Sequence, residues 1–380
     1  MLLNTSSNIA KISAAGSGKT YDICNDALAI VRNGKRVLIT TYTNRGAESI
    51  RREIKKQNSG VLHPLVVVKT WFSFILSDLI RPYQKFLTGE INGIKAYDYT
   101  KTYGFTNFHK SYTRERYITK AGNVLSNEAS ALAVFLNQLS YGKVIHRIEE
   151  IYQTIFVDEI QDLAGFDIDI VKLLIDSKIG FVCCGDNKQA TFKTHNAKKN
   201  KQRTGKNIWV FFKNMEDDGL VEVQKNLSSR RFNQQICAFA NMIFPFGDSI
   251  TSIMNDETGH DGVFLIDISN IEVYRQTFLP QILRYDIKTD TMGYNALNFG
   301  ICKGETFSRV AIFPNDVLLK FILNGIPLKA PEKYYVAVTR PKYSIAFVLK
   351  DLPKSLLNYE EVQIPCGNSQ VRALRFIADR

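Results

Sequence analysis

The feature that most constrains this chain is a glycine-rich stretch between an apolar segment and a helical one. Residues 13–20 read Ser-Ala-Ala-Gly-Ser-Gly-Lys-Thr, after Ile9 and Ile12 and before a helical apolar pattern from Tyr21 to Val31. A turn of this kind exposes backbone N–H groups beside the positive end of a helix dipole, and together they bind phosphate oxygens. The lysine reaches the terminal phosphates, and the threonine hydroxyl binds Mg²⁺. The predicted nucleotide-binding residues are Ala15, Gly16, Ser17, Gly18, Lys19 and Thr20.

A pair of carboxylates follows a second apolar run much later in the chain. The β-branched and aromatic residues 154–157 predict a strand, and Asp158 and Glu159 stand at its carboxyl end, where open α/β sheets bind ligands. Asp158 is predicted to hold Mg²⁺ together with Thr20, and Glu159 to orient and deprotonate an attacking water. The alternative is an ordinary surface Asp-Glu pair. The two motifs together predict a chain that binds and hydrolyses a nucleoside triphosphate.

The composition narrows the class of partner. Of 380 residues, 45% are hydrophobic and 23% charged, which is typical of globular proteins and argues against general disorder. The formal net charge of +12 favours a polyanion such as nucleic acid, because cations set against phosphates release counterions. A solvated basic surface without such a partner is the alternative. No run approaches the roughly 20 apolar residues that cross a bilayer, and the N-terminus lacks an apolar signal core, so we expect a cytoplasmic protein without membrane contact.

The cysteines give no sign of a metal or disulfide framework. They are Cys24, Cys183, Cys184, Cys237, Cys302 and Cys366. None forms a Cys-x-x-Cys pair, and no histidine stands at a spacing suited to zinc. We therefore expect reduced thiols in the core and no metal other than the nucleotide Mg²⁺.

Strand-like segments alternate with helical patterns, which predicts an α/β fold with mostly parallel sheets covered on both faces. The expected strands lie at 36–41, 65–69, 154–157 and 179–184 in a first domain, and at 221–223, 263–266, 310–313 and 344–349 in a second. The expected boundaries are 1–80 with 148–212 for the first domain, 81–147 for a helical and aromatic insertion within it, and 213–380 for the second domain. A basic stretch at 193–206 predicts a loop.

Further sequence blocks occur in order around the two phosphate motifs. They are Thr41-Tyr-Thr-Asn-Arg-Gly-Ala47, Thr70-Trp-Phe-Ser-Phe74, Gly185-Asp-Asn-Lys-Gln189, Leu227-Ser-Ser-Arg-Arg-Phe232, Lys303-Gly-Glu-Thr-Phe307 and Tyr335-Val-Ala-Val-Thr-Arg340. From about residue 9 to residue 349, this series resembles the UvrD/Rep-like superfamily-one DNA helicases. The resemblance implies a P-loop NTPase with two tandem RecA-like domains, ATP and Mg²⁺ in the cleft between them, and single-stranded DNA across their tops.

The resemblance also implies roles for residues outside the phosphate motifs. Gln189 would sense the γ-phosphate and the attacking water, and Arg231 and Arg340 would stabilise charge on the transferring phosphoryl group. For each arginine the alternative is a structural pairing with a carboxylate. The further nucleotide contacts that it implies are Arg230, Gly304 and Glu305.

On the DNA side, the resemblance implies base stacking on Tyr42 and Phe192, which suits a motor because every base offers a π-face. Other residues of the matching blocks would donate to phosphates or stack nearby. These further DNA-binding residues are Thr43, Asn44, Arg45, Thr70, Trp71 and Lys303. For Trp71 and its neighbour Phe72, the alternative is a place in the core.

The sequence departs from the pattern of this family at four places. Few residues precede the phosphate loop, where the family has an adenine-reading glutamine, so selectivity for ATP stays open. Thr306 stands where the ribose-contacting glutamate usually lies, and Thr194 stands where a stacking tryptophan is common. The spacing between Arg231 and Lys303 is too short for the large accessory insertion of long family members, which we expect to be absent or vestigial.

The function expected first is that of a DNA-dependent ATPase and helicase. It would move along, or unwind, single-stranded or tailed duplex DNA in the 3′ to 5′ direction that the resemblance implies. The compact second domain also favours an alternative, an ATP- and DNA-sensing subunit that acts beside a nuclease or another protein partner and unwinds little by itself. DNA repair and phage defence are both open as pathways. A P-loop enzyme for a small metabolite would need a substrate pocket in place of the DNA-side blocks.

Overall fold

The computed structural model describes residues 8–90, 93–100, 113–191 and 199–378. The chain divides into two compact units, the first formed by 1–12 and 19–225 and the second by 13–18 and 226–380. The loop residues 13–18 thus group with the second unit, whereas the helix that follows them belongs to the first.

Seventeen strands and thirteen α-helices are found in the described ranges. The strands are β1 (Ile9–Ser13), β2 (Val37–Thr41), β3 (Val66–Thr70), β4 (Tyr97–Asp98), β5 (Val124–Leu125), β6 (Thr154–Val157), β7 (Gly180–Gly185), β8 (Glu222–Asn226), β9 (Ser228–Ser229), β10 (Thr251–Ser252), β11 (Gly262–Asp267), β12 (Gln281–Arg284), β13 (Leu297–Asn298), β14 (Phe307–Phe313), β15 (Pro341–Leu349), β16 (Tyr359–Cys366) and β17 (Ser369–Phe376). The helices are α1 (Lys19–Val31), α2 (Asn44–Gln57), α3 (Trp71–Phe74), α4 (Lys85–Thr88), α5 (Arg114–Tyr117), α6 (Ala129–Leu139), α7 (Lys143–Ile151), α8 (Asp167–Ile175), α9 (Ile208–Asp217), α10 (Gln234–Ile243), α11 (Ile271–Phe278), α12 (Asp316–Asn324) and α13 (Glu332–Val338).

The sheet of the first unit has the strand order β3-β2-β6-β7-β1-β8. The pairs from β3 through β1 are parallel, so their carboxyl ends lie along one edge of the sheet. Strands β2, β6 and β7 are buried along their whole length, which explains their nearly continuous apolar sequences. This edge carries the residues that directly follow Thr41, Thr70, Val157 and Gly185.

Alternating side chains of these strands enter two separate cores, as the two-residue period of a strand requires. Val37 and Ile39 of β2 pack with Phe156 of β6 on the face that α1 and α2 cover. Leu38 and Ile155 face the opposite core, which contains residues of α6, α7, α8 and α9. The first sheet is therefore flanked by helices on both sides.

Helix α9 belongs to the first unit. Ile208, Phe211 and Phe212 are buried in the core of the first unit, so the compact division falls after Lys225 rather than after the predicted residue 212. Helix α6, from the predicted insertion at 81–147, is buried in the same core. The described part of that segment therefore packs on the first sheet.

The sheet of the second unit has the order β13-β12-β14-β15-β11-β17-β16. Strands β13, β12, β14, β15 and β11 pair in parallel, and the hairpin of β16 and β17 joins β11 in the antiparallel sense. Residues of α10, α12 and α13 pack on one face and residues of α11 on the other. The predicted class, α/β with parallel sheets flanked by helices as in RecA-like domains, is confirmed.

Predicted and observed strands agree closely in the first unit. Strand β6 has the predicted bounds, β2 begins one residue later than predicted, and β3 and β7 are each shifted by one residue at both ends. The hairpin of β16 and β17 has no counterpart among the predicted strands. Its exposed positions carry charges that pair across the two strands, as Arg372 Nε does with Glu361 at 2.8 Å, so its sequence lacks a strong apolar run.

The six cysteines are free and buried, as expected. In the described ranges no helix combines the length and the apolar character needed to cross a bilayer.

One histidine of the second unit is enclosed by aromatic rings. The His260 ring stacks on Phe264 and Phe278, with centroids 4.4 Å and 3.9 Å away, and its Nε2 lies 2.7 Å from the Tyr274 hydroxyl. Burial, followed by the positive charge of Arg309, lowers the pKa of His260 to about 4, although Asp261 acts in the opposite direction. The ring is therefore neutral in the folded protein near pH 7.

This histidine should make the second unit sensitive to acid. In the unfolded chain its pKa returns to about 6.5, so the unfolded state binds more protons between pH 6.5 and pH 4. The contribution of His260 to the free energy of unfolding should be fully present above pH 6.5. It should fall by roughly 3 kcal/mol as the pH drops to about 4. The measurement is urea unfolding of the full chain at several pH values, followed by hydrogen exchange at β11.

A matched pair of variants tests the assignment. The stability difference between wild type and His260→Gln should shrink as the pH falls, because the neutral variant does not titrate. His146→Gln, at an exposed histidine of the first unit, should follow the wild type. A difference for His260→Gln that is the same at pH 7.5 and pH 4.5 would show that the buried ring does not cause the acid sensitivity.

Candidate functional site

The two predicted Mg²⁺ ligands lie together at the carboxyl edge of the first sheet. Asp158 directly follows β6, and Thr20 stands in the first turn of α1, which begins at Lys19. The Thr20 hydroxyl donates a hydrogen bond to Asp158 Oδ2 at 3.2 Å. In nucleotide sites Mg²⁺ uses one or two carboxylates and completes its shell with phosphates and water. This hydroxyl and carboxylate pair fits that role.

The electrostatics around Asp158 favour a cation. The residue is only 7% exposed, and its Oδ1 accepts hydrogen bonds from Cys184 Sγ at 3.2 Å and from the Glu159 N–H at 2.9 Å. Burial, followed by the charge of Glu159, raises the pKa of Asp158, whereas the bond from Cys184 and the charge of Lys19 lower it in part. A buried carboxylate beside a second one is stabilised by a positive ion.

Glu159 is held in an uncommon backbone conformation. Its φ is +59°, a left-handed value that is typically strained by about 1–3 kcal/mol when a side chain is present. The Glu159 carboxylate accepts a hydrogen bond from Gln161 Nε2. The Gln161 side chain is fully buried, and its Oε1 accepts the N–H of Asp186 at 3.2 Å. Gln161, which was not among the predicted site residues, thus orients the candidate base that lies two residues before it in the chain.

Gln189 joins the same network from the loop after β7. Its Nε2 donates to Asp186 Oδ2 at 2.8 Å, and Asp186 Oδ1 accepts the N–H of Lys188 at 3.0 Å. A continuous path of hydrogen bonds therefore runs from Gln189 through Asp186 and Gln161 to Glu159. The path connects Gln189 to the candidate base, and the sensing role of Gln189 stays a prediction.

In the second unit, the loop 13–18 lies against the block that contains the first predicted arginine. Gly16 and Gly18 have φ values of +73° and +98°. The Arg230 N–H donates to the Gly16 carbonyl at 2.9 Å, and a Cβ on Gly16 would lie 2.5 Å from the Arg231 Cβ. Glycine is therefore required at position 16 for its backbone angle and for this close approach.

The two predicted arginines meet at one threonine. Arg231 Nη1 donates to the Thr339 carbonyl at 3.1 Å, and Arg340 Nη2 donates to the Thr339 hydroxyl oxygen at 3.2 Å. Arg340 is 1% exposed, and its Nε also donates to the Val336 carbonyl at 2.9 Å. These acceptors are uncharged. Because both arginines bind atoms of Thr339, this residue orients the two guanidinium groups. Thr339 was not singled out from the sequence, although it belongs to the last block.

The block around Lys303 is tied to the same arginine. Gly304 has a φ of +89°, and the Glu305 N–H donates to the Cys302 carbonyl at 3.0 Å, which closes a tight turn. Arg340 Nη1 donates to the Glu305 carbonyl at 3.2 Å. The predicted nucleotide contacts Gly304 and Glu305 are exposed. The structure thus brings the Lys303 block together with Arg340.

Most of the predicted DNA contacts of the first unit stand at neighbouring strand ends. Thr41 at the end of β2 is the register partner of Thr70 at the end of β3. The hydroxyl oxygens of Thr43 and Thr70 each accept a backbone N–H and so cap α2 and α3. The residues that face solvent at the start of α2 are Thr43, Asn44 and Arg45, and Tyr42 is half-buried. Tyr42, Thr43, Asn44, Arg45 and Thr70 thus lie at one edge of the sheet and are at least partly open to solvent.

Trp71 does not belong to that surface. It is 1% exposed, and its Nε1 donates to Asp167 Oδ1 at 2.8 Å. An enclosed ring has no open face for a base, so the structure supports the core alternative and corrects the assignment of Trp71 to DNA binding. Phe192, the other predicted stacking residue, lies outside the described residues.

Comparisons with known proteins bear on this site. The family described as the UvrD/REP helicase N-terminal domain matches residues 2–86 and 98–204, just over half of the chain. No curated protein matches the sequence. Among solved structures, the complex of arterivirus nonstructural protein 10 (helicase) with DNA is similar at 13% sequence identity and a TM-score of 0.45, over 93% of this chain and 63% of that one. This chain therefore spans less than two thirds of the length of that helicase.

The packing of Gln161 leads to a stability prediction at Gly185. A Cβ at this glycine would lie 2.2 Å from Gln161 Oε1 and 2.8 Å from Ile160 Cγ2. Gly185→Ala should therefore lower the free energy of unfolding by about 1–3 kcal/mol, the usual range for overpacking a core. Urea unfolding of the full chain measures the loss.

Gly300 offers the matched control, because a Cβ there meets nothing within 4 Å. Gly300→Ala should change stability by less than about 0.5 kcal/mol. In a double-mutant cycle, Gly185→Ala should cost less in a Gln161→Ala background than in the wild type, since the nearest contact is absent there. If Gly185→Ala proved as mild as Gly300→Ala, the close packing described here would be wrong.

Proposed function

Because the chain belongs to the UvrD/REP helicase family, we propose that it hydrolyses ATP with Mg²⁺ to move along single-stranded DNA and to unwind tailed duplexes, in the 3′ to 5′ direction. The observation that carries the proposal is the Thr20 hydroxyl at 3.2 Å from the Asp158 carboxylate, with Lys19 and Glu159 directly beside these two residues. Four side chains of the required chemistry thus stand at one edge of a parallel sheet, where ligands of such sheets bind.

The first unit supplies the groups that hold the triphosphate. Mg²⁺ bound by Thr20 and Asp158 would supply positive charge to the β- and γ-phosphate oxygens. The Lys19 ammonium adds a second positive charge, and the N-terminus of α1 adds backbone donors. Because Asp158 is buried and already oriented by Cys184, little reorganisation is needed when the ion arrives.

Glu159 is the proposed base. Its carboxylate takes a proton from the water that attacks the γ-phosphorus in line with the departing oxygen. Gln161 holds this carboxylate, and Gln189 is linked to it through Asp186. The water-activating step is thereby connected to the loop that follows β7.

The second unit supplies the proposed guanidinium groups. Arg231 and Arg340 would stabilise the charge that develops on the transferring phosphoryl group, an effect of roughly 10³ to 10⁵ in rate in well-studied enzymes. Thr339 binds both and keeps them in a fixed relation to each other. We also propose that the rest of the nucleotide contacts Arg230, Gly304 and Glu305.

The DNA-side proposal rests on the exposed edge of the first unit. Tyr42 would stack on a base, and the solvent-facing residues at the start of α2 would donate to phosphates. Lys303 would do the same from the second unit. The net charge of +12 supports a polyanionic partner.

A sensing role beside a nuclease or another protein stays a prediction, as do the cytoplasmic location and the choice between repair and defence. In that role the chain would still bind ATP and DNA, but it would separate strands poorly without its partner. The two functions use the same nucleotide site. They differ in whether hydrolysis drives strand separation by the chain alone.

Two substitutions test the nucleotide site. Glu159→Gln should lower kcat by about 10² to 10⁴, the usual contribution of a general base, while the affinity for ATP is retained. Lys19→Ala should lose hydrolysis and keep much of the affinity for DNA, because phosphate binding and DNA binding use different residues. Steady-state ATPase rates and binding of a fluorescent ATP analogue give the two readouts.

Glu257→Gln is the control, since it removes an exposed carboxylate of the second unit and should leave kcat unchanged. Normal hydrolysis by either Lys19→Ala or Glu159→Gln would mean that the site has been placed on the wrong residues.

A tailed-duplex assay tests the motor. The purified chain with ATP should separate a duplex that carries a 3′ tail and leave one with a 5′ tail intact. Single-stranded DNA should stimulate the ATPase, and this stimulation should fall steeply as salt rises, because ions compete for the phosphate contacts. Stimulation without strand separation would favour the sensing role, and an ATPase indifferent to DNA would rule out the motor.

A further inference from the structure

Four aromatic rings gather beside the DNA-side surface of the first unit. Phe72 lies at the centre, with its ring centroid 6.2 Å from Tyr42, 5.6 Å from Tyr97 and 6.4 Å from Tyr99. Tyr97 and Tyr99 are themselves 5.8 Å apart. We call these four residues the aromatic cluster. Two of its members, Tyr97 and Tyr99, come from the segment 81–147 and belong to none of the sequence blocks.

The cluster is anchored to the carboxyl edge of the sheet. Tyr42 directly follows β2, and Phe72 lies just beyond β3. Tyr97 is held by strand pairing, because β4 pairs with the buried β5. The Tyr97 hydroxyl also donates to the Phe72 carbonyl at 2.8 Å. The rings from the separate segment are therefore fixed against the edge that carries the predicted DNA contacts.

Exposure increases outward through the cluster. Phe72, Tyr97 and Tyr42 are half-buried, whereas Tyr99 is 68% exposed. The backbone at Tyr99 is constrained, because Asp98 Oδ1 accepts the N–H of Thr100 at 2.8 Å and its hydroxyl at 2.6 Å. Such an Asx turn holds the exposed ring over its neighbours. Its burial is far too small for a core role, so Tyr99 presents aromatic surface to solvent.

Cationic groups lie around this surface. Arg45 is exposed three residues after Tyr42, and Lys95 is exposed two residues before Tyr97. Arg81 donates to the Lys95 carbonyl. The carboxylate of Asp98 is the acidic group within the cluster segment, and its bonds to Thr100 direct it into the turn. An open aromatic face among cations fits a flexible polyanion with planar groups, which is the chemistry of single-stranded DNA.

We propose that Tyr99, supported by Phe72 and Tyr97, stacks on a base of single-stranded DNA and extends the surface that begins at Tyr42. This inference rests on the proposed function, since it requires that the chain bind single-stranded DNA. It adds a contact from the segment 81–147, where no family block predicted one. Stacking on one aromatic ring changes affinity by about 5- to 150-fold.

The test separates base contacts from phosphate contacts. The full-length protein is titrated with a fluorescent oligothymidylate and with a strand of equal length made of abasic sites, which keeps the phosphates and lacks the bases. Tyr99→Ala should weaken oligothymidylate binding by at least about 5-fold and leave the abasic strand unchanged. Tyr99→Phe should bind both strands like the wild type, because it keeps the ring.

Tyr141→Ala is the matched control, because Tyr141 is a 91% exposed tyrosine of the same unit that lies outside the cluster. It should bind both strands like the wild type. If Tyr99→Ala weakened both strands equally, or neither, the stacking role would be overturned while DNA binding stood. A wild type that bound neither strand would overturn the proposed function, and with it this inference. Since Tyr99 is exposed, its replacement should leave the fold intact, which circular dichroism verifies.

Discussion

The candidate site of the first unit is built around one contact, the hydrogen bond between Thr20 and Asp158. It exists because β6, β7 and β1 run in parallel and deliver their following loops to the same edge of one sheet. Placing a carboxylate there is unfavourable, since desolvation penalises a buried charge. Cys184 and the Glu159 N–H offset part of that penalty, and a divalent ion would offset more. Cys184 of β7 therefore orients Asp158 in addition to packing in the core.

Strain and close packing concentrate around the same edge. Glu159 adopts a left-handed backbone angle, Gln161 is fully buried between two polar partners, and Gly185 leaves no room for a side chain. Each feature is unfavourable alone, but together they fix one carboxylate relative to the strand ends. Buried polar groups stabilise a structure only when all of them are paired, so this network is sensitive to the loss of any member.

The sequence predicted the elements whose signal is local. Asp158 and Thr20 are identified by motifs whose geometry follows from a strand, a turn and a helix, and the structure brings their side chains together. Trp71 was placed on the DNA side by its block, but a block does not say which face a side chain takes. Gln161 and Thr339 could not be chosen because their roles depend on partners distant in sequence. Tyr99 lies in a segment with neither a motif nor a clear period.

A motor must make its affinity for one ligand depend on another, and coupling of that kind is reciprocal. In the second unit, the proposed coupling would run through Arg340, which binds both Thr339 and the carbonyl of Glu305 in the turn that follows Lys303. Thr339 also binds Arg231. A guanidinium drawn toward a phosphate would have to change these bonds and so disturb the turn. In the first unit, the path from Glu159 to Gln189 links two candidate nucleotide groups through Gln161 and Asp186. Conversion of hydrolysis into movement would require such a connection between the nucleotide site and the DNA side, and the bonds of Arg340 to Thr339 and to the Glu305 carbonyl are the candidates for it in the second unit.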